Sequence, residues 1–487
     1  MAVRGRTARG GQAAGRAGQA LRGIAPAGLG ALLAFSALPA AAQQGQPPNP
    51  LLTLSFASSL RASDNYDLSV DSPGNATILD NTLGLSYASE TEVQLLRFGL
   101  SGVARLADLP RTGTDTRFDN QTASLEYARQ GVNSALRLNG RYNRADLAFF
   151  DPLSLLDLDL PIDDNDLVSL PSGYREMTSL GASFETGLSA PLSFSLSANS
   201  RQRKFFDVED QDSSLYDTRN TSLTAAIGAL VTPTTRLSLT GSSSWYRAED
   251  EEDTRRLNRS LSLGAVHETA RALTLSASLG YQVIDTDETD IFGQRVTTTN
   301  DGATGAFGLS QELTNGTVGL NASHAITVNG GRSTLSALRS LELPEGSLSF
   351  SLGLSSGDTG RNAVIGSIDY AQTLMYGSLR LGLARDVQTS DDDEDLEVTR
   401  ARLGWTHDLT ELSGIGMNLS YISTNAVGDG DTDRDRGRFQ ASYRHALTRD
   451  WDLSGGYAYT VSRHEGRGDA TENSVFLTIS RQFQVRP

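Results

Sequence analysis

From Leu51 onward the hydrophobic residues recur every second position. Leu52, Leu54, Phe56 and Leu60 alternate with Thr53, Ser55, Ala57 and Ser59. Leu237, Leu239, Gly241, Ser243 and Trp245 repeat the pattern against Arg236, Ser238, Thr240, Ser242 and Ser244. So do Leu273, Leu275, Ala277, Leu279, Tyr281 and Val283 against Thr274, Ser276, Ser278, Gly280 and Gln282. Side chains of an extended chain point alternately to opposite faces, so this pattern predicts strands with one apolar and one polar face. No segment after Ala42 shows a helical period. The pattern predicts about 22 strands, or roughly 20 to 24 if a weak hairpin is misread.

Connections between these strands alternate between short and long. Short ones include 89–92, 130–131, 190–191, 232–234, 314–316, 344–346 and 448–450, where Pro, Gly and Asn supply the dihedrals of tight reversals. Long ones are predicted near 63–79, 107–117, 144–172, 204–217, 248–255, 284–300, 388–395, 424–436 and 464–472, with brief ones near 329–332 and 356–361. A barrel inserted into a membrane from one side has short turns at one end and long loops at the other; a soluble sandwich has no such need. In lipid an unpaired backbone amide costs several kcal/mol, so the sheet must close without an edge. The predicted fold is therefore all-β: a transmembrane up-and-down antiparallel β-barrel over 51–483, with short periplasmic turns, long acidic extracellular loops and a tail at 484–487. A periplasmic barrel is the competing architecture, but its exposed leucine rows would aggregate.

Composition narrows the setting. The 487 residues contain no Cys, which excludes disulfides, thiolate metal sites and thiol nucleophiles. No apolar run of about 18 residues follows the N-terminal region, so helical membrane spans are not predicted. A formal charge of −16 argues against a nucleic-acid partner. Arg4, Arg6, Arg9, Arg16 and Arg22 precede an apolar stretch from Ile24 to Leu38 and the small residues Ala40 to Ala42. That order predicts a cleavable signal peptide over 1–42 and a short periplasmic linker over 43–50. Removing it takes away five basic residues and no acid, leaving a charge of −21. With only 43–50 ahead of the first strand, no separate plug domain is predicted.

The last strand bears on family. Val475, Leu477 and Ile479 alternate, and the strand is predicted to end at Phe483. On this strand and the 51–483 pattern, the chain resembles Gram-negative outer-membrane β-barrel proteins, large and porin-like. It has a looser similarity to barrels associated with exopolysaccharide loci. The resemblance implies outer-membrane lipid and lipopolysaccharide as surroundings, and Phe483 as a signal for the barrel-assembly machinery. Two features depart from the family pattern: Gln484 to Pro487 follow Phe483, and Arg481 falls on the apolar phase.

The leucine phase assigns Arg97, Arg105, Arg137, Arg141, Arg201, Arg203, Arg236, Arg380, Arg400, Arg402, Arg438 and Arg444 to the polar face as lumen-facing channel candidates. Asn139, Asn143, Asn199, Gln202, Gln282, Asn321 and Gln440 lie among them, and Lys204 is the chain's one lysine. Such a lining would attract anions or sugars, unless the arginines are spent on Glu126, Asp119, Glu185 and other lumenal acids. The connection 144–172 carries Phe149-Phe150 and an apolar run from Leu153 to Leu160, and is predicted to fold inward or cover the rim. Acidic runs at 163–166, 249–253, 391–395 and 429–435 lack calcium-loop spacing: from Asp429, position six is Arg434 and position twelve is Gln440. They are predicted to be solvated faces that hold divalent cations loosely.

His267, His407 and His445 each precede a short turn on the apolar phase, which predicts an interfacial rim with Trp405 and Trp451 rather than a metal site. Ser323 and His324 adjoin and so point to opposite faces, and no Gly-x-Ser-x-Gly elbow is present. No enzyme activity, cofactor, metal or catalytic residue is predicted. The expectation is a monomeric outer-membrane channel for diffusion or export of small or polymeric solutes, with anionic or carbohydrate cargo favoured. The alternative is a non-conducting structural or binding barrel, whose acidic loops engage lipopolysaccharide, polysaccharide or a partner protein.

Overall fold

The computed structural model describes residues 51–485 except 155–171, 209–214, 270–271, 359–361, 391–393, 428–432 and 465–467. The predicted signal peptide (1–42) and predicted linker (43–50) lie outside the described residues. Twenty-two antiparallel strands form one sheet in which each strand pairs with its sequence neighbours. Strand β22 (Gly468–Val485) pairs with β1 (Leu51–Ser63) from Val485↔Leu52 to Ser474↔Ser63, which closes the cylinder and removes both edges. That strand runs two residues past the predicted end at Phe483, because Gln484 and Val485 still find partners in Thr53 and Leu52. No helix among the described residues is long and apolar enough to cross a membrane. The chain instead presents an apolar outer wall of strands.

Two aromatic rims bound that wall. Toward the long-connection ends, the hydroxyls of Tyr142, Tyr421 and Tyr457 donate to Glu176 (3.0 Å), Asp435 (2.9 Å) and Asn473 (2.6 Å) on neighbouring strands, and Tyr281 donates to Asp301. Toward the short turns, Trp405 stacks on His407 at 5.8 Å and Tyr443 on His445 at 6.4 Å. Arg481 lies 4.0 Å over the Phe483 ring and 5.2 Å from the Trp451 ring. This explains an arginine on the apolar phase: its charge faces aromatic rings and Asp450 at the rim rather than hydrocarbon. His267 Nδ1 lies 2.9 Å from Thr235 Oγ1.

The long-side connections differ from expectation where strands outrun the leucine pattern. β3 (Gln94–Leu109) and β4 (Gly113–Gln130) leave only 110–112 between them, not 107–117. β11 (Leu273–Thr289) and β12 (Arg295–Leu313) leave 290–294, not 284–300. Above the apolar wall both faces of a strand can be polar while its ladder continues, so polarity alone reads as loop. An added residue in β4 also changes phase. Asn120 sits at φ +51°, and the β3–β4 register shifts across Ser101 and Val103. The bulge puts Glu126 and Asp119, seven positions apart, on the same side of the sheet.

Candidate functional site in the barrel lumen

All twelve predicted arginines fall on the sheet face opposite the leucine row. Arg97 faces Glu126 at 3.4 Å, Arg137 faces Glu185 at 3.9 Å, and Arg400 bonds Asp386 at 3.2 Å. Buried Arg105 bonds Asp80 at 2.7 Å and approaches Asp119 at 3.8 Å. Arg203 is buried, while Arg141 and Arg201 lie on the strands predicted for them, β5 (Ser134–Asp146) and β7 (Leu192–Phe206). Arg236, Arg380 and Arg444 have no ion-pair partner among the described residues. The lining is thus partly a charge ladder and partly uncommitted guanidinium.

The feature that organises this lining comes from the connection after β5. Asp146 caps a single 3-10 turn, Leu147–Phe149, by accepting from the Ala148 N–H. Residues 149–154 then cross the bore to strands far away in sequence. Phe149 packs on Ala76, Ile78, Ala107 and Leu109 of β2 (Ala76–Glu90) and β3, with the Arg105 guanidinium 4.0 Å over its ring. Phe150 lies under Arg175, at 5.0 Å. Leu153, 4% exposed, enters a cluster with Leu396, Val398 and Ile422 of β18 (Asp395–Thr410) and β19 (Ser413–Ala426). Asp151 accepts from Arg438 Nη1 at 2.7 Å and lies 3.8 Å from Arg436 Nε, both on β20 (Arg434–Ala446). Segment 147–154 thus meets the arginine-bearing face of β20, seven strands away around the sheet.

Burial opposes ionisation of Asp151, but the two guanidiniums and the Leu153 N–H outweigh it and hold the carboxyl below the ordinary aspartate value. Two small apolar clusters and an ion pair therefore fasten segment 147–154 at three points. The sequence reading found Phe149, Phe150 and Leu153 by their hydrophobicity in a polar connection. It missed Asp151, Arg436 and the inward apolar residues Ile78, Val398 and Ile422. The last three were detectable as hydrophobic residues on the wrong phase of their strands.

Among the acidic runs, 249–253 is described in full. Asp253 bonds Arg255 at 2.8 Å and Arg295 at 3.0 Å, with Arg247 at 3.7 Å. The Arg295 hydrogen bond, joined by that of Arg255, lowers its pKa against an opposing desolvation. Asp253 is thus tied to neighbouring strands, while Glu249, Glu251 and Glu252 of the same run stay exposed. The 163–166 run, 391–393, and Asp429 and Asp431 lie outside the described residues. No group of three potential metal ligands occurs among the described residues. His324 Nδ1 meets Ser333 Oγ at 2.9 Å across the β13 (Gly316–Thr327) and β14 (Gly330–Leu343) pair, a contact that only strand register reveals. No carboxylate among the described residues orients that imidazole.

No protein-family model matches the chain, and no curated protein matches its sequence. Its fold is similar to that of the ferric-catecholate import receptor Fiu from E. coli K12 in its open form, at 12% identity over 91% of this chain and 82% of that one, TM-score 0.54. It is also similar to the FrpB iron transporter from Neisseria meningitidis (10% identity, 90% and 82% coverage, TM-score 0.56). The copper transporter OprC gives 12% identity, 89% and 80% coverage and a TM-score of 0.51. The fold is thus a closed 22-stranded antiparallel barrel, like those of these import receptors and transporters. These likenesses are to import receptors and transporters, so they do not support the narrower similarity to porins or exopolysaccharide-associated barrels.

Proposed function

We propose that the chain is an integral outer-membrane channel for small or polymeric anionic or carbohydrate solutes, with segment 147–154 as its internal constriction. The observation that carries this reading is the docking of Phe149, Asp151 and Leu153 across a lumen lined with guanidinium, amide and hydroxyl groups. A cylinder of this strand number encloses a bore wide enough to conduct unless something fills it. Segment 147–154 fills part of it. Uncommitted arginines lower the electrostatic cost of anion entry without a fixed counter-ion. No catalytic step is assigned. Lipopolysaccharide around the acidic loops, and assembly machinery reading the Phe483 end of β22, complete the proposal; the protein acts as a monomer.

The test is planar-bilayer conductance of the purified barrel. Wild-type protein gives stable steps with anion bias, and Phe149→Ala/Asp151→Ala/Leu153→Ala gives larger steps. Unchanged step size in the triple variant rejects the constriction. Absence of steps in both proteins leaves a non-conducting binding barrel as the function. Neutralising Arg137, Arg141, Arg201 and Arg203 together erodes the anion bias; unaltered selectivity removes those residues from the conducting path.

A further inference from the structure

Beside segment 147–154 the lumen holds a cavity of about 720 Å³, within the range of small-molecule sites. Asp151, Leu153 and Ser154 form one side of it. The other side is the inner wall from β15 (Gly346–Gly357) to β20. Three guanidiniums line it, Arg380, Arg402 and Arg438, against the two carboxylates Asp151 and Asp369. The lining therefore carries one excess positive charge.

Its polar groups are differently committed. Arg438 is engaged by Asp151. The side chains of Arg380, Asp369, Asn418 and Gln440 make no hydrogen bond or ion pair with any other described residue. Two glycines keep the wall bare between them: a Cβ at Gly382 would stand 3.6 Å from the Asp369 carboxylate, and one at Gly404 3.4 Å from the Asn418 amide oxygen. The cavity thus offers a free guanidinium, a free carboxylate and two free amides, with the hydroxyls of Ser347, Ser349 and Ser420 nearby. Amides both donate and accept, as sugar hydroxyls do, and a guanidinium matches a carboxylate in a bidentate fork.

We propose that this cavity binds a small hydroxylated carboxylate of the sugar-acid class. Arg380 takes the carboxylate, while Asp369, Asn418 and Gln440 take the hydroxyls. Single excess positive charge selects a monoanion over a neutral sugar, and the amides and Asp369 select a hydroxylated frame over a bare anion. This deepens the channel reading and rests on it for the cargo's route, but binding itself requires no conduction.

Isothermal titration of the detergent-folded full chain tests it, with galacturonate, galactose and inorganic phosphate as probes. Arg380→Gln is the test variant. Arg449→Gln is the control, an exposed arginine of the 447–450 turn and outside the cavity. Heat-shifted electrophoretic migration verifies that each variant is folded. Galacturonate binds at least tenfold more tightly than galactose or phosphate, Arg380→Gln weakens it tenfold or more, and Arg449→Gln changes it less than twofold. Equal affinity for galacturonate and galactose, or equal losses in the two variants, overturns the site. Phosphate binding as tightly as galacturonate overturns the hydroxyl assignment. No galacturonate binding by a barrel that conducts with anion bias overturns the site and leaves the channel standing. Binding without conductance does the reverse.

Discussion

Leu153→Ala isolates one fastening of segment 147–154 from the rest of the barrel. Leu153 is 4% exposed, against Leu396, Val398 and Ile422. Truncation removes three carbons from that cluster, and about 0.8 kcal/mol per buried carbon makes ~2.4 kcal/mol of lost docking energy. The closed wall is untouched, since no backbone pair of the sheet involves this residue. The loss therefore falls on the equilibrium between docked and released segment, shifting it about 50-fold toward release at ~1.4 kcal/mol per tenfold. Because the chain has no cysteine, Ala148→Cys supplies a single reporter thiol, at a position 9% exposed in the docked state. Its maleimide labelling rate follows the released population. Labelling in the Ala148→Cys/Leu153→Ala protein is expected to be about 50-fold faster than in Ala148→Cys alone. A change of less than threefold refutes the claim that Leu153 burial holds the segment.

Acidification gives a second handle. The Asp151 pKa is depressed in the folded chain, so its contribution is fully present above the unfolded aspartate value of about 3.9 and is lost as pH falls through the lower folded value. Pepsin cleavage at Phe149–Phe150, corrected for the enzyme's own pH profile, should accelerate below pH ~4, and Asp151→Asn should flatten that rise. Arg105→Met leaves Asp80 and the buried Asp119 without their shared cation. A loss of about 3 kcal/mol in unfolding free energy is expected from urea titration, discounted within the 3–5 range because Asp80 is partly solvated, with Asp119→Asn recovering part of it. At the β4 bulge, Asn120→Val should cost roughly 1–2 kcal/mol because a β-branched residue resists positive φ, whereas Asn120→Gly should stay within about 0.5. Equal unfolding midpoints for those two variants would remove the bulge from the account.

Much of the architecture was legible because alternation is a property of neighbouring residues. Parity placed Arg380 and Arg438 opposite the leucines without knowledge of any contact. Phe149 and Leu153 stood out as too apolar for a solvated connection, and the structure docks both. Parity failed where geometry changes locally: Asp119 and Glu126 share a face only because Asn120 inserts a bulge. It also failed above the apolar wall, where Asp285 pairs with Thr299 in a ladder that continues through polar residues read as loop.

The sequence by itself determined the strand pattern, the face residues present along regular strands and the all-β barrel, because every second side chain must suit either hydrocarbon or water. Tertiary structure alone decided what meets across the bore. Asp151 and Arg438 lie 287 positions apart, and the cavity gathers groups from six strands and a connection. Such meetings depend on register accumulated around a closed sheet and on where one inward segment lands, and no local pattern encodes either.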